Sequence, residues 1–173
     1  FILHDMFDLP FEDISVILGR STGAARQLAS RARRRVQGQP GVSDADRRRD
    51  REIVNAFLTA SRGGDLSGLI AILDPEIVLR ADAAAIAASA ARAGQGAPEL
   101  QAPTLRGREP IAKIFQGRAQ GALPALVDGG PGLVVPIGNE PIAVFQFTIE
   151  NGVIAEIAVT CDAQTIKTMT LDY

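Results

Sequence analysis

The chain has 173 residues, with 18 Lys and Arg against 20 Asp and Glu, a formal charge of −2, one Cys and one His. That length allows one domain, or a small one and a larger one, at roughly 100–200 residues each, and the near-neutral charge excludes a molecule that binds nucleic acid through its overall field. The single Cys161 excludes an intrachain disulfide, Cys161 and His4 together cannot build a Cys/His zinc site, and no apolar run approaches the ~20 residues that span a bilayer. The start lacks the basic-then-apolar pattern of a signal peptide, so the expected setting is a reducing cytoplasm, with no membrane, metal or cofactor.

Phe1 to Phe7 carries apolar residues at 1, 2, 3, 6 and 7, which predicts the last turns of a buried helix. A chain that opens inside such a pattern predicts a missing N-terminal portion. Asp8-Leu9-Pro10 ends the first helix, and Pro10 suits the first position of the next. Phe11, Ile14, Ile17 and Leu18 recur at three- and four-residue steps and predict one apolar helix face. Gly19 fits a C-terminal cap and Ser21 an N-cap. In the helix that follows, Ala25, Leu28, Ala32 and Val36 form the predicted inner face. Gln37 to Asp46, with Gly38, Pro40, Gly41 and Ser43, reads as a linker. These features divide the chain into 1–37, a linker at 38–48, and a second domain at 49–173.

In the second domain, Ile53, Val54, Phe57 and Leu58 predict an amphipathic helix ending at Gly63-Gly64, after a solvated, mixed-charge start at Asp44–Glu52. Leu66 to Leu73 predicts a shorter helix stopped by Asp74-Pro75. Glu76–Asp82 predicts a strand, Ala83–Arg92 a helix, Gly94–Thr104 a loop, and Glu109–Gln120 a helix with Ile111, Ile114 and Phe115 inward. The period then changes to that of strands, at 123–127, 133–137, 142–149 and 153–160. Turn clusters separate them, of which Asn151-Gly152 is the strongest hairpin signal. Ala143, Phe145, Phe147 and Ile149 share one expected face, and Val153, Ala155, Ile157 and Val159 another. Helices followed by a meander predict an α+β fold with a bent antiparallel sheet.

The chemistry-bearing segment is the first. From Arg20 to Arg35 every ionisable residue is Arg, on a helix entered through a Gly turn and a Ser cap. That is the outline of a helix-turn-helix. Arg20, Arg26, Gln27 and Arg31 lie on the first half of the helix, where base contacts fall, and Ser21 and Ser30 join them as DNA-binding candidates, since Arg can fork onto guanine, Gln can pair with adenine and Ser suits either. Arg33, Arg34 and Arg35 suit phosphates, which give affinity but little sequence choice. The plainer alternative is a solvated basic helix in an ordinary bundle.

His4-Asp5-Met6-Phe7, Pro10-Phe11-Glu12-Asp13-Ile14, Gly19-Arg20-Ser21 and Ala24-Ala25-Arg26-Gln27-Leu28-Ala29-Ser30-Arg31-Ala32-Arg33 resemble region 4 of extracytoplasmic-function (ECF) sigma factors. The resemblance covers about residues 1–37. It implies contact with the −35 promoter element as part of an RNA polymerase holoenzyme, so RNA polymerase core and promoter DNA are the implied partners. It also implies that the region that reads the −10 element would lie upstream. Glu52–Leu58, Gly63-Gly64-Asp65-Leu66 and Leu73–Asp82, extended by Pro131–Val135, Ile142–Phe145 and Gly152-Val153-Ile154, resemble a SnoaL-like domain, a cone of the ketosteroid-isomerase type. A SigJ-like subgroup of sigma factors carries such an extension, where it implies regulation in cis. Two places depart from that subgroup: Ala83-Ala84-Ala85 stand where a glycine-rich motif is usual, and Asp162–Ile166 is only distantly like its tail motif.

Two other readings stand beside this one. An apolar cone pocket could take a small apolar ligand, making the chain a one-component, ligand-responsive regulator. Asp82 and Asp128, near strand ends, could serve an isomerase or cyclase. Against catalysis, the one Tyr is Tyr173, the one His is His4, and the expected inner faces are apolar. Asp82 as a helix cap and Asp128 as a turn residue are the simpler assignments, so no catalytic residue is expected. Cys161, near a strand end, reads as structural.

Overall fold

The computed structural model describes residues 9–19, 22–23, 25–26, 28–29, 44–92, 94 and 97–173, and the chain forms two compact units, residues 1–47 and 48–173. The predicted helix at Phe1–Phe7, the Ser21 cap and the linker residues 38–43 lie outside the described residues, as do Ala32 and Val36.

In the first unit, helix α1 spans Phe11–Leu18. Pro10 occupies its N-cap, one position before the expected one, and Asp13 and Ile14 donate their N–H groups to the Pro10 carbonyl. Gly19 closes the helix with φ 60° and ψ 35°, the left-handed geometry that glycine adopts without a Cβ penalty. Beyond the turn, Thr22, Gly23, Ala25, Arg26, Leu28 and Ala29 are helical. Two expectations need correction. The buried side of α1 is Ile14 and Ser15, while Ile17 is 63% exposed and Leu18 47%. Across the turn the buried pair is Ala25 and Ala29, and Leu28 is 44% exposed. A four-residue step from Ala25 reaches Ala29, so the inward stripe follows the small residues rather than the largest apolar one.

Helix α2 (Asp44–Gly63) starts before the division at Arg47–Arg48, within the segment read as linker, and lies mostly in the second unit; residues 45–49 are exposed, as the mixed charges require. Val54, Phe57, Leu58 and Ser61 form its buried stripe. Gly64, with φ 70°, turns the chain, and the Asp65 carboxylate accepts the Gly68 N–H at 2.9 Å to cap α3 (Leu66–Ile72). Strand β1 (Leu73–Ala81) starts earlier than expected and contains Pro75. The register of β1 against its neighbour jumps between Leu73 and Val78, the kind of irregularity where a missing N–H costs no ladder bond. Helix α4 is Ala83–Ala91. Strand β2 (Thr104–Arg106), which starts at the last residue of the expected loop, pairs antiparallel with β1. Helix α5 (Arg108–Phe115) stops short of the expected Gln120, because Gly117 and Ala119 adopt φ 71° and 61°.

Four strands follow: β3 (Leu123–Val127), β4 (Gly130–Ile137), β5 (Glu140–Glu150) and β6 (Val153–Thr160). Asn151-Gly152 makes the expected tight hairpin, with φ 52° and 82°. A short helix α6 (Ala163–Lys167) and strand β7 (Leu171–Asp172) complete a seven-stranded sheet of order β2-β1-β6-β5-β4-β3-β7. The fold is α+β, but the sheet is mixed rather than antiparallel throughout, since β1 runs parallel to β6. That pairing joins strands separated by the whole intervening chain, and such long crossovers leave no local sequence signal.

The core lies between one sheet face and helices α2 to α5. Phe57 packs edge-on against Phe115 and Phe147, with ring centroids 5.0 and 5.2 Å apart. The predicted inner face of β6 is half right. Ile157 and Val159 are in the core, but Ile154 joins them in place of Val153 and Ala155. Thr148 pairs with Glu156 and Ile149 with Ile154, so Ala155 is the extra residue of a bulge that exchanges the faces beyond it. On the opposite sheet face Val127, Val134, Val144 and Ile166 form a smaller cluster.

Candidate functional site

Two places carry functional chemistry: the helix-turn-helix and a cavity in the second unit. In the first, Ser15 bridges the turn, donating its hydroxyl to the Glu12 carbonyl at 2.6 Å while Thr22 Oγ1 donates to Ser15 Oγ at 3.4 Å. Of the predicted DNA contacts only Arg26 is among the described residues; Arg20, Ser21, Gln27, Ser30, Arg31, Arg33, Arg34 and Arg35 are not. The Arg26 guanidinium meets Glu12 Oε1 at 3.0 Å and lies 5.5 Å from the centroid of the Phe11 ring. The Glu12 side chain is 64% exposed, so the pair is worth about 0–1 kcal/mol. A bidentate base contact discriminates by about 1–3 kcal/mol. The α1 contacts therefore hold Arg26 less tightly than such a base contact would.

The cavity, of about 270 Å³, has four walls. Helix α4 contributes Ala85, Ala88 and Ser89, whose small side chains leave the space open. Residues 97–100 form a second wall, tied back to α4 through Ser89, which donates to the Pro98 carbonyl and accepts the Leu100 N–H, both at 2.7 Å. Residues 119–122 form a third. Ser61 and Arg62, at the end of α2, hold it: Ser61 Oγ donates to the Phe115 and Arg118 carbonyls, and Arg62 to the Ala119 and Ala122 carbonyls. The sheet closes the fourth side with Val135, Ala143, Phe145 and Val159. Arg92 and Cys161 stand on its lining, and among the described residues no carboxylate, imidazole or phenol does.

Neither candidate carboxylate lines the cavity. Asp82 caps α4 by accepting the Ala85 N–H at 2.6 Å; it also accepts the Thr160 hydroxyl at 2.7 Å and the Cys161 and Asp162 N–H groups at 3.2 and 3.3 Å. Asp128 sits in the β3–β4 turn at φ 51° and exchanges backbone and side-chain hydrogen bonds with Thr170, at 2.8 and 3.0 Å. Their simpler assignments, cap and turn, are the observed ones. Among the described residues no group of three or more His, Cys, Asp or Glu is placed to hold a metal ion, and no helix is long and apolar enough to cross a membrane.

Burial, with a smaller push from Asp82 and against the pull of Arg92, raises the Cys161 thiol to about 11. Alkylation by iodoacetamide should therefore be slow at pH 8 and keep climbing toward pH 11, whereas a rate that levels off near pH 9 would contradict this burial. The folded value exceeds the ordinary 9.0, so folding disfavours the thiolate and stability falls as pH rises past 9. Arg92 is the lining residue that sequence reasoning missed. Its only signal was a lone cation at the end of an alanine-rich helix.

Residues 1–36 match the family described as Sigma-70, region 4. The chain is 38% identical over 101 residues to the ECF RNA polymerase sigma factor SigJ of Mycobacterium tuberculosis, covering 58% of this chain and 32% of that protein. It is 28% identical over 168 residues to the probable ECF RNA polymerase sigma factor SigI of the same species, covering 96% of this chain and 53% of that one. The crystal structure of M. tuberculosis SigJ is similar at a TM-score of 0.49 and 24% identity, over 95% of this chain and 57% of that one. The chain thus spans about half the length, or less, of the curated relatives it matches.

Proposed function

We propose that this chain is the −35-reading and regulatory portion of a transcription-initiation sigma factor that works with RNA polymerase core in the cytoplasm. The observation that carries the reading is the region 4 match over residues 1–36, the segment that holds the Gly19 turn and the arginine run. Residues 1–37 are the DNA reader, 38–48 the connection and 49–173 the regulatory domain. Arg20, Ser21, Arg26, Gln27, Ser30 and Arg31 contact bases, and Arg33, Arg34 and Arg35 contact phosphates. The second domain acts as a regulator rather than an enzyme. Its cavity offers a small apolar ligand a site but lacks an acid–base pair among the described lining residues.

The test is in vitro transcription by RNA polymerase core and a protein containing this chain, from promoters randomised at −35. A fixed −35 block should be selected. Arg31→Ala should relax one position and weaken use of the selected promoter about ten-fold or more. Arg34→Ala should weaken all sequences alike and reduce the salt dependence of binding by about one ion. Deleting 49–173 should change transcript yield and leave the selected sequence intact. Absence of any −35 preference overturns the reader assignment, and equal yield with and without 49–173 overturns the regulatory one.

A further inference from the structure

The cavity of the second unit is apolar on its sheet side and is lined by alanines on α4, yet Arg92 stands on its lining. Arg92 is half-buried at the C-cap of α4 and, among the described residues, its guanidinium has neither a hydrogen bond nor an ion pair. A cation at a helix C-terminus is favoured by the helix dipole. That accounts for its presence on the helix, but not for its place at an apolar cavity without an anion. The nearby carboxylate does not serve it. Asp82 is engaged by Ala85, Thr160, Cys161 and Asp162, and it does not line the space. Gln120, another polar lining residue, donates its amide to the Arg62 carbonyl at 3.1 Å, and the Ser89 hydroxyl is spent on residues 98 and 100. One unpaired charge therefore stands on the lining of a small apolar space where the Ser89 hydroxyl and the Gln120 amide already have protein partners.

We infer that the cavity binds a small amphiphile with an apolar body and a single carboxylate, the body against Val135, Ala143, Phe145 and Val159 and the carboxylate on Arg92. This deepens the reading of the cavity as the ligand site of the regulatory domain and rests on it. The volume of about 270 Å³ falls just below the roughly 300–1,000 Å³ of drug-sized sites, which selects a medium-length aliphatic or single-ring acid. The guanidinium can meet a carboxylate through two parallel N–H donors, a geometry that a hydroxyl cannot match.

Decanoate and decan-1-ol, which share an apolar body and differ in the head, test this by calorimetric titration of the whole chain. Decanoate should bind about ten-fold or more tighter than decan-1-ol, the size expected of a charge-assisted pair. Arg92→Gln should bring decanoate to the level of the alcohol, and Arg92→Lys should keep part of the preference, since it keeps the charge and loses the fork. Ala88→Phe, which fills the space from α4, should weaken both ligands. The inference is overturned if wild type does not distinguish the two, if Arg92→Gln keeps the preference, or if Ala88→Phe leaves binding intact. Neither DNA nor polymerase takes part in this measurement, so its failure leaves the promoter-reading assignment standing.

Discussion

Phe57→Ala should lower the unfolding free energy of the second unit by about 3–5 kcal/mol, the range for deleting a buried aromatic ring. Phe57 is fully buried, and its ring lies edge-on to both Phe115 and Phe147. The substitution removes the ring's own transfer energy, two edge-to-face contacts, and the packing of α2 on α5 and β5 together. Neighbours cannot collapse into the gap without moving one of those three elements, so the cost belongs toward the upper end. Small single domains hold only about 5–15 kcal/mol in all. Phe57→Leu should recover a large part of the loss. Urea unfolding checks both variants, with a fall in midpoint at constant slope as the expected form. A loss below about 1 kcal/mol for Phe57→Ala would contradict the packing described.

Asp82→Ala should cost about 3 kcal/mol, through two separable contributions. Losing the cap on Ala85 is worth about 1 kcal/mol, and the part-buried hydrogen bonds from Thr160, Cys161 and Asp162 together about 2 kcal/mol, since water replaces part of each. The carboxylate ties the end of β1 to the end of β6 through Thr160, Cys161 and Asp162. Asp82→Asn separates the two contributions. Asparagine caps a helix as well as aspartate does, but its NH₂ group meets donors where the second carboxylate oxygen met them. It should therefore cost about half as much as Asp82→Ala, in the same urea experiment. Equal stability of Asp82→Ala and wild type would return Asp82 to the status of a surface cap.

The parts of this fold legible in the sequence are those written in short-range chemistry. Gly19 stops α1 in the left-handed geometry, Asn151-Gly152 makes its hairpin, and the Val54–Phe57–Leu58 stripe buries as its spacing dictates. What escaped is decided at a distance. The parallel β1–β6 pair depends on Leu79 meeting Ile157 across the chain. The bulge at Ala155 depends on how β6 lies against β5, and it puts Ile154 in the core where alternation called for Val153. Helix α5 could run to Gln120 by its own pattern, but Gly117 and Ala119 take positive φ, and Ser61 on α2 holds that turn through the Phe115 and Arg118 carbonyls. The site divides in the same way. The arginine run stands out in the sequence as a candidate DNA-reading segment because its chemistry is local. The cavity is legible only as an alanine-rich helix, since its other walls come from three separated segments.

The strand order also says how this sheet behaves toward other molecules of its kind. An edge strand offers unpaired N–H and C=O groups as a template for a second chain, and proteins limit that hazard by keeping edges short. The two strands at the ends of the order, β2 and β7, have three and two residues. Strand β7 meets β3 at Leu126 and Val127, where Asp128 and Thr170 pin it, and Pro124 removes one N–H from the stretch of β3 that β7 leaves uncovered. The seven-stranded sheet thus offers little edge for growth at either margin, which protects the unit against edge-to-edge aggregation.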